Sequence, residues 1–327
     1  MSSTLEFYHE SDLHSRTSIR DGEARLGQTL KAIGEELWHE DSALPYKFVI
    51  IGVEEDFGVR GNHGRGGAQH SFGAFLEYFL NFQHNRFFPA EEVAILGAIV
   101  PTQTVADDHL EALREATSAN DPTVKTVVQT IIERGAIPII VGGGHNNAYG
   151  CLAGASGAAK GPVNCLNIDA HTDLRNMEGR HSGNGFTYAL DEGYLERYFM
   201  LGIQENYTPE HIWKRIEENE HIDLASFEDL MSGEENWDDV YVRISELLGQ
   251  SYGVELDTDV IASFPSSAQS ISGFSFEQVR GIIYALDVLP KYFHICEGRV
   301  TNKEEFALVG RGIALLVADF IKAHIYS

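Results

Sequence analysis

Seven short runs of apolar and β-branched residues punctuate the chain, at 46–53, 93–100, 137–141, 163–168, 198–202, 252–256 and 292–296. They are near-continuously hydrophobic rather than alternating, and the first, YKFVIIGV, runs into acidic residues. This pattern predicts strands buried on both faces. Helical periodicity fills many of the gaps between them. The clearest helix is predicted to start with Asp121 as N-cap and Pro122 at the first helical position. It places Val124, Val127, Val128, Ile131 and Ile132 on one face and stops near Gly135. A second opens at Ser275, where Gln278 completes a capping-box spacing, and a last runs from about 303 to 325. Strands alternating with helices predict an α/β fold with a mostly parallel sheet covered on both faces. Ligands in such folds sit beyond the carboxyl ends of the strands.

Composition changes this picture little. The 327 residues are 43% hydrophobic and 22% charged, with no repeat or low-complexity run, so one domain over 1–327 is expected. The opening MSSTLEFYHESDLHSRTSIRDGE lacks a basic-then-apolar pattern. No apolar stretch approaches the roughly 18 residues that cross a bilayer. Cys151, Cys165 and Cys296 are widely spaced, each beside apolar residues, and read as buried reduced thiols. A cytoplasmic protein is the expectation. Charge matters more: 24 basic against 49 acidic residues give a net charge of −25, which disfavours nucleic acid and anionic membranes as partners.

The candidate chemistry follows three of the predicted strands. After 137–141 comes Gly142-Gly143-Gly144-His145, after 163–168 comes Asp169-Ala170-His171-Thr172-Asp173, and after 252–256 comes Asp257-Thr258-Asp259. In extended chain, residues two apart share a face, so Asp169, His171 and Asp173 can converge, as can Asp257 and Asp259. Taken singly, GGGH reads as a turn and DxD as a capping pair. Together, two His and four Asp in one pocket leave negative charge that only cations can compensate. Two divalent ions would do so, and carboxylate with imidazole suits Mn²⁺ best, with Zn²⁺, Ni²⁺ or Fe²⁺ as alternatives. A water held by such a pair becomes a nucleophile near neutral pH, so no Ser or Cys nucleophile is required.

With these residues the chain resembles the ureohydrolase family of arginases, agmatinases and formimidoylglutamases, from about residue 50 to 298. GGGH, DAHTD and ELDTD stand in the family's order. The resemblance implies that His145 and Asp173 hold one manganese, that His171 and Asp259 hold the other, and that Asp169 and Asp257 bridge them. It also implies a three-layer α/β/α, arginase-like domain assembled as trimers or hexamers. Gly58-Val59-Arg60-Gly61-Asn62-His63-Gly64-Arg65 looks like the family's GxRxNxGR loop. Arg180-His181-Ser182-Gly183-Asn184-Gly185-Phe186 is similar to its short substrate loop, with Ser182 where arginases and agmatinases carry His. His294-Ile295-Cys296-Glu297-Gly298 resembles the last strand, whose Glu faces the substrate's amidinium. Three departures stand out: Val260-Ile261-Ala262-Ser263-Phe264-Pro265 after the DxD instead of Asp-Pro, Asn184-Gly185 instead of Thr-Pro, and Asn146 after His145.

The resemblance implies hydrolysis of N-formimidoyl-L-glutamate to L-glutamate and formamide, a step of histidine breakdown. A dicarboxylate entering so acidic a protein needs local positive charge, for which Arg60, Arg65, Arg175 and Arg180 are candidates, with Asn62, Ser182 and Asn184 beside them. Glu297 is expected to pair with the cationic nitrogen, Asp259 to relay a proton and His181 to assist that relay. The rival readings are an arginase- or agmatinase-type hydrolase releasing urea, a non-catalytic metal-stabilised scaffold, and a single-zinc deacetylase of related fold.

Overall fold

The computed structural model describes residues 3–102, 105, 109–249 and 251–325. Among the described residues ten strands form one sheet: β1 Ser3–Phe7, β2 Lys31–Ala32, β3 Phe48–Val53, β4 Val93–Pro101, β5 Ile137–Val141, β6 Val163–Ile168, β7 Leu195–Ile203, β8 Ile222–Ser226, β9 Tyr252–Asp257 and β10 Phe293–Cys296. Their order is β1-β4-β3-β5-β10-β9-β6-β7-β8, with β2 also on β4. Every pairing is parallel except β1 against β4.

The apolar runs are continuous because helices cover both faces of the sheet. Along β3, Phe48 and Ile50 pack into one core, while Val49, Ile51 and Val53 pack into the other. The first core gathers Phe72, Phe75 and Phe79 from helix Ser71–Phe79, and Leu316, Val317 and Phe320 from helix Lys303–His324. The second gathers Val124, Val127, Val128 and Ile131 from helix Leu110–Glu133, and Cys151 and Leu152 from helix Asn147–Ala159. The three-layer α/β/α arrangement is therefore written in the alternation of side chains across each strand.

Helix Leu110–Glu133 corrects one expectation. It begins eleven residues before Asp121, so Pro122 lies inside it rather than at its start. Asp121 does not cap: its carboxylate is buried and takes the Arg180 guanidinium, Nε at 3.0 Å and Nη2 at 3.2 Å. The other two helices expected from the sequence are present. Ser275 caps Phe276–Tyr284 with Gln278 completing the box, and Asn302 caps Lys303–His324 through the Glu304 and Glu305 amides. All three cysteines are buried and free. Among the described residues no helix is long and apolar enough to cross a membrane.

The topology fixes where chemistry can occur. The chain passes from β5 to β6 across a gap that β9 and β10 later fill, and β5, β10, β9 and β6 become adjacent central strands. Their carboxyl ends carry the GGGH, DxHxD, DxD and Glu297 segments, at the switch point where open parallel sheets bind ligands.

Candidate metal and substrate site

The turn after β5 needs its glycines. Gly142 and Gly143 adopt φ of +95° and +70°, and a Cβ there would meet Ser71 Oγ at 2.7 Å and Asn147 Nδ2 at 2.5 Å. The turn is held from below by Glu55, which was not singled out in the sequence. Its buried carboxylate accepts from Gly144 N at 3.2 Å, Asn146 Nδ2 at 3.2 Å and Asn147 Nδ2 at 2.6 Å. Asn146, one of the departures, thus serves the turn rather than the cavity. His145 is delivered to the sheet edge with its ring against the edge of Phe186, centroids 5.2 Å apart.

Around His145 the acids converge. Its Nδ1 lies 2.9 Å from Asp173 Oδ2, 3.2 Å from Asp169 Oδ2 and 3.5 Å from Asp257 Oδ2. His171 Nδ1 lies 2.9 Å from Asp259 Oδ2 and 3.7 Å from Asp169 Oδ1. Asp169 therefore presents one oxygen to each imidazole. Two donor sets, His145/Asp169/Asp173 and Asp169/His171/Asp259, each fit within 4.8 Å and share Asp169. Asp257 is less symmetric: it groups with His145 and Cys296, and its Oδ1 accepts the Asp259 amide at 2.9 Å. Cys296, read from sequence as a plain core thiol, has its sulfur beside this cluster, with burial pushing the thiol up.

The electrostatics of the cluster call for positive charge. Burial opposes charge on His145 and His171. Even so, Cys296 and the carboxylates around the first, and Asp259 and Asp169 around the second, lift both well above the ordinary imidazole range. Burial and neighbouring carboxylates raise Asp173, Asp257 and Asp259. Both His145 ring nitrogens and Asp259 Oδ1 are buried without hydrogen-bond geometry to any partner. Hard oxygens, imidazole nitrogens and uncompensated charge make a donor set that fits divalent cations.

A cavity of about 620 Å³ opens over this cluster. Its wall includes His171, Asp173, Asp257, Asp259 and Glu297, and around them Asn62, His63, Arg65, Arg175, Ser182, Tyr207 and Ser267. Three wall residues, His63, Asp173 and Glu297, hold left-handed backbones with φ of 62°, 48° and 64°, a local strain that clusters at working sites. Glu297 is buried, accepts from the His145 amide at 2.7 Å and from the Ser267 hydroxyl, and is pushed by burial to about 7. Arg175 Nη1 donates to Asn62 Oδ1 at 2.7 Å, and Asn62 Nδ2 donates to Ser182 Oγ at 3.2 Å, linking three loops along one wall. Arg65 Nε donates to Ser267 O at 3.0 Å.

Four sequence candidates are placed elsewhere. Arg180 is buried between the rings of Tyr149 and Tyr188 and spends its donors on Asp121, Asn184 and the Asn146 carbonyl. Asn184 is buried too, accepting from the His181 amide and donating to the Asn176 and Gly179 carbonyls. His181 has no exposure; its Nδ1 accepts from Gly183 N at 3.1 Å and its Nε2 faces Glu178 at 3.2 Å. Arg60 turns to Asp56 at 3.5 Å and the Val105 carbonyl at 3.4 Å. None of the four lines the cavity. Their hydrogen bonds shape the loops that carry Asn62, Arg175 and Ser182, so they act on the wall from behind. Ser267 and Tyr207 were missed in the sequence. A serine in a turn and an exposed tyrosine carry no signal until the fold sets them against Glu297 and His171.

Known proteins are similar to this chain in sequence and in fold. A formimidoylglutamase of Ralstonia nicotianae is 30% identical over 220 residues, 62% of this chain but 63% of that protein, so the match spans less than two thirds of the relative's length. A manganese-bound formiminoglutamase from Trypanosoma cruzi superposes with a TM-score of 0.70 at 21% identity, covering 91% of this chain and 98% of that one. A formimidoylglutamase from Bacillus subtilis gives 0.74 at 17% identity, covering 95% of each chain. These two share the fold. The arginase family model matches residues 46–293, the stretch that carries β3 through β9 and the GGGH, DxHxD and DxD strand ends, and this chain belongs to the arginase family.

Proposed function

We propose that this chain is a two-ion, manganese-dependent hydrolase that cleaves the amidine C–N bond of N-formimidoyl-L-glutamate, giving L-glutamate and formamide. The observation that carries the reading is the division of charge in one cavity, lined by the acids Asp173, Asp257, Asp259 and Glu297 and by the cations Arg65 and Arg175. An amidinium with a dicarboxylate tail fits that division, cation toward the acids and carboxylates toward the guanidinium groups. The names of the curated relative and of the structural neighbours support the same substrate.

His145, Asp169 and Asp173 would hold one ion, and His171, Asp259 and Asp169 the other, with Asp257 reaching the first. Two divalent ions held there would lower the pKa of a water and stabilise negative charge on its oxygen, supplying a nucleophile near neutral pH. The reaction adds that water to the amidine carbon, breaks the bond to the glutamate nitrogen, and returns a proton to that nitrogen. Glu297, fixed by the His145 amide and Ser267, pairs with the amidinium and orients its carbon. Asp259 Oδ1, buried without a hydrogen-bond partner, is the oxygen that carries the proton toward the leaving amine. Arg175, aligned through Asn62, receives a substrate carboxylate, and Ser182 completes the wall.

We further propose one ureohydrolase-like domain over 1–327, a cytoplasmic location and a homo-oligomeric state, trimer or hexamer, which light scattering would test. Function is tested by product release from Mn²⁺-loaded protein given formimidoylglutamate, arginine, agmatine and guanidinobutyrate in parallel. Formamide from the first alone is expected. Urea from any of the others would overturn the substrate, and turnover of none by protein holding two ions would favour a scaffold.

A further inference from the structure

One buried carboxylate near the site belongs neither to the cavity wall nor to the donor sets assigned to the ions. Glu255 lies two residues before Asp257 on β9, on the same face, and is wholly buried. Its cross-strand partner in the β9–β10 register is His294, also wholly buried. Their side chains meet: His294 Nδ1 is 2.5 Å from Glu255 Oε2, and the other ring nitrogen faces the Gly142 carbonyl at 3.3 Å. His294 thereby ties Glu255 to the turn that delivers His145.

On its far side Glu255 faces His145 itself. The same oxygen, Oε2, lies 3.6 Å from His145 Nε2, while His145 Nδ1 points into the acids. The imidazole stands between the acid cluster and this single carboxylate. A neutral imidazole has one N–H and one lone pair, and the partner of one nitrogen decides which atom carries which. A carboxylate behind Nε2 draws the proton there and leaves the Nδ1 lone pair toward the cluster. A buried carboxylate is costly to keep unless it is paired. In Glu255 one oxygen lies between two imidazoles, and Oε1 is buried without hydrogen-bond geometry to a partner.

We propose that Glu255 is a positioning residue for His145, fixing the tautomer that directs Nδ1 at an ion, and that His294 holds Glu255 in place. This rests on the two-ion reading above. Residues behind a metal-ligating histidine tune affinity by about 10–100-fold.

The test is equilibrium Mn²⁺ titration of metal-free protein, with free ion read by electron paramagnetic resonance, for wild type and Glu255→Gln. Wild type is expected to bind two ions per chain. Glu255→Gln is expected to keep the His171-side ion at parental affinity, to weaken the His145-side ion by about 10–100-fold, and to leave the metal-free melting temperature within a few degrees. Parental affinity for both ions in Glu255→Gln overturns the proposal, as does equal weakening of both, which marks general loosening. If Glu255→Gln does not fold, the double variant Glu255→Gln/His294→Gln places a neutral amide pair in the same space and is read by the same outcomes. Wild type binding fewer than two ions removes the two-ion reading instead, so the two failures are told apart.

Discussion

Tyr207 lies flat on His171, ring centroids 5.1 Å apart and planes 17° from parallel. His171 is the more open of the two imidazoles in the cluster, its side chain 32% exposed against 1% for His145. The stack therefore supplies on one side the packing that Phe186 supplies to His145. Aromatic contacts of this kind contribute about 0.5–1.5 kcal/mol. Tyr207→Ala is expected to weaken Mn²⁺ binding at the His171 side about 3–10-fold, whereas Tyr207→Phe, which keeps the ring, stays near wild type. Titration of both variants checks this, and equal behaviour of Ala and Phe would remove the stack from the account.

Arg175 and Arg65 share a wall but differ in what they have left to offer. Arg65 is committed through Nε to the Ser267 carbonyl and through Nη2 to the Ser266 carbonyl, while Arg175 donates from Nη1 to Asn62. Arg175 is thus the better placed to receive a carboxylate. A charge-assisted hydrogen bond is worth about 1.5–3 kcal/mol, so Arg175→Ala is expected to raise KM roughly 10–100-fold with a smaller change in kcat. Steady-state kinetics decide; a fall in kcat at constant KM would place Arg175 at the reacting atoms instead.

The runs that became β3, β5, β6, β9 and β10 were legible because strands buried on both faces must be apolar throughout. Their functional ends were legible because acids and imidazoles directly after such runs have nowhere else to go. Edge strands were not: β1 alternates half-buried and exposed residues, β2 spans two residues, and β8 reads as mixed polarity. Asp121-Pro122 imitates a helix start, and only the distant Arg180 claims the carboxylate and lets the helix extend past it. Arg180, His181 and Asn184 sit in a stretch similar to the family's substrate loop, but here their side chains are spent on Asp121, Glu178, one another and the backbone. Glu255 and His294, 39 residues apart, became a pair only through the β9–β10 register.

His181 makes a prediction about pH. Burial, with help from Arg114 and Arg175, lowers it to about 4 against the opposing pull of Glu178. The fold thus favours the neutral ring, while in the unfolded chain the pKa is about 6.5. Its contribution to stability is full above about 6.5 and is lost as pH falls toward 4. Between pH 7.5 and 4.5, metal-free wild type is expected to lose about 2 kcal/mol more unfolding free energy than His181→Asn. Urea denaturation at both pH values measures the difference, and parallel losses would show that His181 titrates alike folded and unfolded.

The central claim is that six residues on three strand ends hold two ions and that hydrolysis depends on them. Asp169 is the residue on which this turns, with one oxygen 3.2 Å from His145 Nδ1 and the other 3.7 Å from His171 Nδ1. The direct test is metal content by mass spectrometry, measured beside formamide release, for wild type and Asp169→Ala loaded with Mn²⁺ under identical conditions. The account predicts two ions per chain and turnover in wild type, and in the variant fewer than one ion and activity reduced by about a thousandfold or more, as expected when electrostatic stabilisation of the transition state is lost. Asp169→Ala that retained two ions and released formamide at the parental rate would contradict it.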